Sequence, residues 1–338
     1  MKALAIKYRP RDWEEVTEQS ATLVILQNQL ESNDIRNAYL FCGPAGCGKT
    51  TCARIFANNI NNWEGAPIEM DAASNNSVDD VREIDKMAQS RAVDGEYKIF
   101  IIDECHMITN QGWNAMLKLI EEPPAKSIFI FCTTDPQKIP KTILSRVQRY
   151  DFKRISISGI VDRLQYVFLH EQSESEDYYY DKPALDYIAR LADGHMRDAL
   201  TMLDKCLAFS NEVTVENVSK ALGRINLSEF TMLTDALCNR EHGTILEVVN
   251  NAYRNGVDLK QYVKDYTNFI LDMVKYNISD DISMTSLPDT DDIRSFLNNY
   301  KYESETLHNI LTMLIEIDGE IKWSQSPRYV IEARLLTY

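Results

Sequence analysis

The sequence predicts an α/β domain with a five-stranded parallel sheet, followed by a small helical domain and an all-α domain. Strand-like and helix-like segments alternate over residues 1–155, which favours a parallel sheet with helices on both faces. Residues 98–102 and 127–132 are almost continuously apolar, as in strands buried on both sides. Helical patterns fill the remainder, and we place the domain boundaries at 155/156 and 222/223.

The predicted elements of the first domain follow from local signals. Ser77, Asp79 and Asp80 suit a helix N-terminus, and Pro123 and Pro124 end a helix. A short polar and aromatic arm over residues 8–16 precedes them. The predicted helices cover residues 21–31, about 50–59, 78–90 and 111–121, and the predicted strands cover residues 39–42, 67–70, 98–102, 127–132 and 149–152.

The second half of the chain is predicted to be helical. Helices are expected over residues 158–170, 183–192, 197–209 and 215–222, and then to the end of the chain with breaks at 239–243, 255–256 and 279–292. Residues 171–181 form an acidic stretch with three tyrosines. We interpret it as a solvated loop with partly packed rings, the alternative being a ligand site.

Size, charge and cysteine usage limit the function classes. A chain of 338 residues exceeds one compact core. Its net charge of −15 means that any DNA contact needs a local basic patch or a surface shared with partners. The N-terminus lacks a signal peptide, and no run approaches the ~18 apolar residues of a membrane span. We therefore expect a cytoplasmic protein with no membrane partner. Seven cysteines without a C-x-x-C pair argue against zinc and disulfides.

Residues 37–57 contain the strongest motif of the chain, a strand, a glycine-rich loop and a helix in the pattern G-x-x-x-x-G-K-[ST]. Such a loop turns several backbone N–H groups toward one anion. Lys49 is expected on the β- and γ-phosphates and the Thr50 hydroxyl on Mg²⁺. The alternative is a glycine-rich turn before a helix. The predicted nucleotide-binding residues of this motif are Gly43, Pro44, Ala45, Gly46, Cys47, Gly48, Lys49, Thr50 and Thr51.

Polar residues also follow the next buried strands. Asp103 and Glu104 end the strand that begins at Lys98, at the edge where open α/β sheets place their ligands. Asp103 is predicted to hold Mg²⁺, and Glu104 to orient and deprotonate the attacking water. Thr133 and Thr134 end the following strand, and their hydroxyls could reach the γ-phosphate or the same water. Solvated strand ends are the alternative for the acids, and strand caps for the threonines.

Several longer segments carry a family resemblance. They are KYRPRDWEEV, GPAGCGKTTCARIFA, MDAASNNSVDDVREI, IFIIDECHMITNQGWNAMLKLIEEPP, FCTTDPQKIPKTILSRVQRYDF and GHMRDALTMLDKC, and they span residues 7 to about 207. Together they resemble the ATPase subunit of the bacterial DNA polymerase III clamp loader, the gamma/tau type of the AAA+ superfamily. DAASN-x-x-VDD-x-RE and the EEPP segment followed by TTDPQKIP are narrower signals than the phosphate loop.

The resemblance implies further site residues. Arg9, Pro10 and Val16 would line the adenine pocket, and Thr134 matches the position called sensor 1. Arg146 matches the arginine that enters the ATP site of a neighbouring subunit, and Arg197 matches sensor 2. A solvated surface arginine is the alternative for Arg146 and Arg197.

The resemblance also implies function and partners. It implies ATP and Mg²⁺ as ligands and an ATPase that acts in a multi-subunit complex. The expected partners are copies of this chain, delta- and delta-prime-like subunits, the sliding clamp and primer-template DNA; the last domain would be the collar through which five subunits associate. Alternatives are a replication-factor-type small subunit of a phage or archaeal-like loader, a catalytically silent stator or scaffold, and a small-molecule P-loop kinase.

The sequence departs from the family pattern at four places. Residues 58–66 replace the usual four-cysteine zinc module, so no zinc is expected, and Val147 stands where the family has cysteine after its Ser-Arg pair. Asp94 and Glu96 occupy a loop expected to be basic where it approaches DNA, and acidic groups repel phosphates. The remaining candidates for DNA contact are Arg82, Lys86 and Arg91. The chain stops at Tyr338, and we expect it to lack the long tau-type extension.

Overall fold

The computed structural model describes residues 2–90, 94–174, 178–223 and 227–338. The chain divides into two compact units, residues 1–168 with 192–201 and residues 169–191 with 202–338. In the described ranges, no helix has the length and apolar character that crossing a membrane requires. The predicted domain boundaries at 155/156 and 222/223 stay predictions.

The first unit contains a five-stranded sheet and the helices that cover it. The strands are β1 Ala38–Cys42, β2 Ile68–Asp71, β3 Lys98–Asp103, β4 Ser127–Thr133 and β5 Gln148–Asp151. The helices are α1 Leu4–Lys7, α2 Ser20–Ser32, α3 Lys49–Ile60, α4 Val78–Gln89, α5 Asn110–Glu121 and α6 Lys141–Leu144. The order across the sheet is β2-β3-β4-β1-β5, with every pair parallel. The α/β fold class is thus confirmed.

The three central strands are buried on both faces, which explains their continuous apolar sequence. Because side chains alternate across a strand, Phe129 and Phe131 of β4 pack with Trp113 of α5 on one face. Ile130 of the same strand packs on the other face with Phe56 of α3. The two helix layers therefore bury opposite faces of one sheet.

The structure confirms the helix ends that the sequence predicts for α4 and α5. Ser77 and Asp80 form a reciprocal capping box at the start of α4: the Asp80 carboxylate accepts from the Ser77 N–H at 2.8 Å, and the Ser77 hydroxyl accepts from the Asp80 N–H. The end of α5 at Glu121, before the two prolines, matches the prediction. A helix ends there because a residue preceding proline is pushed out of the helical region.

The helices beyond the sheet also follow the predicted pattern. They are α7 Ile157–Glu174, α8 Lys182–Leu191, α9 Met196–Phe209, α10 Val215–Ala221, α11 Leu227–Asn239, α12 His242–Arg254, α13 Leu259–Ser279, α14 Asp291–Asn299, α15 Ser304–Ile321 and α16 Pro327–Thr337. In the second unit, Tyr262, Tyr266 and Phe269 of α13 pack around Phe230 of α11. This aromatic cluster is the centre of the all-α core.

Two features of the second half differ from the predictions. The tyrosine-rich stretch was predicted as a loop, but β6 Tyr179–Tyr180 pairs in parallel with β7 Glu212–Val213. A two-residue strand carries too little alternation to be predicted from sequence. Two further breaks, at residues 300–303 between α14 and α15 and at residues 322–326 between α15 and α16, were not predicted. Residues 175–177 of the acidic stretch lie outside the described residues.

Candidate functional site

The candidate site lies at the carboxyl edge of the sheet. In the register of β1 and β4, Cys42 pairs with Thr133. The phosphate loop, which follows β1, and Thr134, which follows β4, therefore leave the sheet side by side. β3, which ends at Asp103, is the next strand beyond β4. The chain order reverses around β1, and open parallel sheets bind ligands at such points. The topology therefore gathers the three predicted motifs into one crevice.

The backbone of the phosphate loop requires glycine at two places. At Gly43 the φ angle is +153°, and a Cβ atom would lie 2.5 Å from the carbonyl oxygen of Phe152. Gly48 has φ +102° and immediately precedes α3. An L-residue would be strained at both positions. The loop can consequently turn tightly enough for the N-terminal N–H groups of α3 to face a bound anion.

Lys49 is a buried cation held by the loop itself. It is 6% exposed, and its Nζ donates to the carbonyl oxygens of Gly43 at 2.9 Å and Pro44 at 2.7 Å. Within the part of the chain that the structure describes, no carboxylate lies within ion-pair distance of Nζ. A buried charge is costly unless it is paired. The site thus favours an anionic ligand beside Lys49.

Thr50 and Asp103 form the oxygen-rich edge of the site. The Thr50 hydroxyl donates to Asp103 Oδ2 at 2.7 Å, and Asp103 Oδ1 accepts from the Glu104 N–H at 3.0 Å. Hydroxyl and carboxylate oxygens are hard ligands of the kind Mg²⁺ takes, so this pair fits that ion. Among the described residues no group of three or more His, Cys, Asp or Glu side chains could hold a metal ion alone. The expected absence of zinc stays a prediction.

Glu104 follows directly, with φ +45°. Its Oε2 accepts from the Thr134 hydroxyl at 2.8 Å. Thr133 is fully buried, and its hydroxyl accepts from the Asp135 N–H at 3.0 Å and lies 3.1 Å from His106 Nδ1. Of the two predicted threonines, therefore, Thr134 alone contacts Glu104.

One cavity brings together most of the predicted residues. Arg9, Pro10 and Val16 line it, as do Arg197 and the loop from Ala45 to Thr51; the lining is completed by Ala5, Tyr8, Thr17, Asp103, Glu104, Ile155, Arg163, Met196 and Leu200. Burial, followed by the nearby guanidiniums of Arg54 and Arg197, lowers the pKa of Arg9. An anion in the cavity would relieve this crowding of positive charge.

The start of α9 contacts the phosphate loop directly. The Met196 N–H donates to the Gly46 carbonyl at 3.1 Å. A Cβ atom on Gly46 would lie 3.2 Å from His195 Cα, so the two backbones approach closely there. Arg197 is thereby held at the cavity, and its predicted contact with the γ-phosphate stays a prediction.

Arg163 is a lining residue that the sequence did not reveal. Its Nη2 donates to the Tyr8 carbonyl at 3.0 Å, and its guanidinium lies 4.8 Å from the Tyr166 ring centroid. It belongs to α7, outside every quoted motif. Only its helical spacing to Tyr166 and the tertiary fold bring it to the cavity.

Arg146 does not line the cavity, and of the other predicted site residues Gly43, Pro44 and Thr134 do not line it either. The Arg146 side chain is held by its own neighbours. Its Nε donates to Glu121 Oε1 at 2.6 Å, and its Nη1 donates to the Thr142 carbonyl and the Ser145 hydroxyl at 2.7 and 3.1 Å. The side chain is 40% exposed. Val147, next to it, packs against the sheet core. An exposed arginine in this position fits both a residue that acts on a neighbour and a solvated surface arginine, so the role of Arg146 stays a prediction.

The segments discussed for DNA and zinc lie elsewhere on the sheet unit. Arg82 forms an ion pair with Asp79, and Glu96 pairs with Lys126. Arg91 lies outside the described residues. The loop in place of a zinc module is held by Asn61, whose amide exchanges two 2.8 Å hydrogen bonds with the Tyr97 backbone.

Comparisons with protein families cover most of the chain. Residues 66–156 match the family described as DNA polymerase III, delta subunit. Residues 159–212 match the DNA polymerase III clamp loader subunit, ATPase lid domain, and residues 213–337 match DNA polymerase III subunits gamma and tau domain III. The three matches follow one another along the chain without overlap.

Individual relatives of this chain are also DNA polymerase III subunits. DNA polymerase III subunit tau of Bacillus subtilis is 34% identical over 99% of this chain and 62% of its own length. Subunit gamma/tau of Mycobacterium tuberculosis H37Rv is 31% identical over 99% and 62%. The chain thus spans about three fifths of these relatives. The Holliday junction branch migration motor RuvB of Thermotoga maritima shares the fold, with a TM-score of 0.53 and 18% identity over 74% of this chain and 86% of its own. The chain belongs to the DNA polymerase III gamma/tau family.

Proposed function

We propose that this chain is an ATP-hydrolysing motor subunit of a DNA sliding-clamp loader. The observation that carries the proposal is a single cavity lined by Lys49, Thr50, Asp103, Glu104 and Arg197. Phosphoryl transfer to water needs three kinds of protein group together: groups that bind the phosphates, groups that bind the metal ion and a group that activates the water. A site that only bound nucleotide would not need Glu104 beside the phosphate loop.

Each residue has a proposed role at the triphosphate. Lys49 exchanges its two carbonyl partners for β- and γ-phosphate oxygens, and Thr50 and Asp103 hold Mg²⁺. When bound, that ion neutralises charge on the β- and γ-phosphates. Glu104 accepts a proton from the attacking water, and Thr134 helps to orient that water. Arg197 contacts the γ-phosphate within the subunit.

The adenine end of the nucleotide is proposed to lie against the N-terminal arm. Pro10 and Val16 supply apolar surface, and Arg9 lies close enough to Arg197 for the two charges to interact. Tyr8 and Arg163 close the same wall through their 3.0 Å hydrogen bond. Nucleotide binding would therefore order the arm together with the start of α7.

We further propose that hydrolysis occurs in an assembly. Arg146 would enter the site of the next subunit, as an arginine supplied in trans. The partners are other copies of this chain, delta- and delta-prime-like subunits, the sliding clamp and primer-template DNA, in the cytoplasm. ATP bound between subunits favours the arrangement that opens the clamp, because a ligand shifts an equilibrium only through differential contacts. Loss of the γ-phosphate releases the clamp on DNA.

The test is ATP turnover by the purified chain in complex with its partner subunits, with and without clamp and primer-template DNA. We expect turnover that clamp and DNA stimulate, and Glu104→Gln is expected to lower kcat by about 10²- to 10⁴-fold while nucleotide binding persists. Binding without turnover would instead identify a silent scaffold. Native mass spectrometry with and without ATP adds a second check: full activity as a strict monomer contradicts the assembly.

A further inference from the structure

His106 lies against the proposed general base and belongs to no predicted site. Its Nδ1 is 3.3 Å from Glu104 Oε2 and 3.1 Å from the Thr133 hydroxyl oxygen. The imidazole is only 11% exposed. It sits in the short 3₁₀ helix Cys105–Met107, for which Glu104 is the preceding cap residue.

The two contacts of Nδ1 suit a proton on that nitrogen. A carboxylate oxygen only accepts hydrogen bonds, so Nδ1 at 3.3 Å is favourable only when Nδ1 bears hydrogen. The Thr133 hydroxyl already accepts from the Asp135 N–H, and its second lone pair can accept from the same Nδ1–H. With a proton on Nδ1, His106 could donate toward both Thr133 and Glu104.

Two polar groups approach the same oxygen of Glu104. Thr134 donates to Oε2 at 2.8 Å from β4, and His106 approaches the same Oε2 from the segment after β3. Among the described residues none donates to Oε1. The carboxylate is fixed by one oxygen, and the other remains available as a proton acceptor.

The Glu104 side chain needs contacts that restrain it, because it is long and partly exposed. The side chain has three rotatable bonds and is 36% exposed, and ordering a long side chain costs entropy. Its left-handed backbone, φ +45°, is a sparsely populated conformation that surrounding contacts must maintain. General-base catalysis demands hydrogen-bond reach to the reacting water.

We propose that His106 is a positioning residue for hydrolysis: by donating from Nδ1 to Oε2 of Glu104, it leaves Oε1 directed to the attacking water. This rests on the proposed ATPase function. His106 is not among the residues that line the cavity. It acts through Glu104 alone.

The test compares His106→Leu with His106→Asn in the loader complex. Leucine removes the donor, whereas the asparagine amide nitrogen stands where Nδ1 stands and still donates. We expect His106→Leu to lower kcat about tenfold, the scale of a hydrogen bond to a charged group, with unchanged KM. His106→Asn is expected to restore most of that loss. Thermal unfolding and binding of fluorescent ADP check that both variants fold.

A double-mutant cycle separates positioning from a general structural role. In a Glu104→Gln background the base is absent, so His106→Leu should cost no further turnover. A tenfold loss in both backgrounds would overturn the proposal, as would a rise in kcat, which would mean that His106 holds Glu104 inactive. A wild-type complex that fails to hydrolyse ATP refutes the ATPase proposal and this inference together; normal turnover in His106→Leu refutes only the inference.

Discussion

Lys49 and Arg146 are both proposed to act on a γ-phosphate, yet their surroundings are opposite. Lys49 is 6% exposed and holds two carbonyls of its own loop. The Arg146 side chain is 40% exposed and is tied to Glu121 at the surface. The first cation is buried by folding, whereas in the proposed assembly the second becomes buried only when another subunit covers it.

The difference has consequences for what each residue can contribute. The cost of desolvating Lys49 is met by folding, so its attraction for phosphate is present in an isolated subunit. Under the proposed assembly, Arg146 keeps its hydration until a neighbour covers it, so its effect would depend on that neighbour and on the nucleotide state there. Binding and hydrolysis are thus assigned to different regions of one chain, and substitutions should separate them.

The largest effect is expected for Arg146→Ala. In the assembled loader it should lower kcat for ATP by about 10³-fold or more, because an arginine in trans stabilises charge on the transferring phosphoryl group. Nucleotide affinity of the isolated chain should not change, since Arg146 lies outside the cavity. Steady-state turnover of the complex and equilibrium titration of the free chain measure the two quantities.

Arg149→Ala is the matched control for Arg146. It removes an arginine three residues away that is 46% exposed and pairs with Asp151. We expect full turnover from that variant. Equal losses for both substitutions, or weaker nucleotide binding by free Arg146→Ala, would contradict the assignment to a neighbouring site.

Lys49→Ala is expected to show the opposite pattern. The isolated chain should bind ATP about 10- to 100-fold more weakly, the scale of hydrogen bonds made by a charged group. The measurement is isothermal titration calorimetry on the free chain. Lys126→Ala, which removes an exposed lysine paired with Glu96, should bind like the wild type. If Lys49→Ala bound ATP normally, the phosphate would have to lie elsewhere.

Most of the fold was predictable because its signals are local. The apolar runs of β3 and β4, the serine and aspartates at the start of α4, and the prolines after α5 each specify structure over a few residues. The phosphate loop and the acids after β3 were predictable for the same reason. Parallel pairing then brings them together, because the carboxyl ends of parallel strands share one edge.

The contributions of His106 and Arg163 depend on tertiary contacts and could not be derived this way. His106 lies three positions after Asp103 and two after Glu104, but its contact with Thr133 spans 27 residues of sequence. Arg163 reaches Tyr8 across 155 residues. The pairing of β6 with β7 likewise joins two-residue segments 33 positions apart in register. No periodic pattern links such distant positions, so the folded structure is needed to see them.

The smallest effect is expected for Glu121→Gln, which sharpens the contrast between the two cations. Glu121 orients Arg146 through a single exposed ion pair at 2.6 Å, and such pairs contribute about 0.2–1 kcal/mol. Turnover of the complex should therefore fall only about two- to fivefold, with Glu122→Gln as the neighbouring control. A rise in turnover would mean that Glu121 restrains Arg146 in its own subunit. A loss as large as that of Arg146→Ala would mean that orientation, rather than charge, is what the neighbour requires.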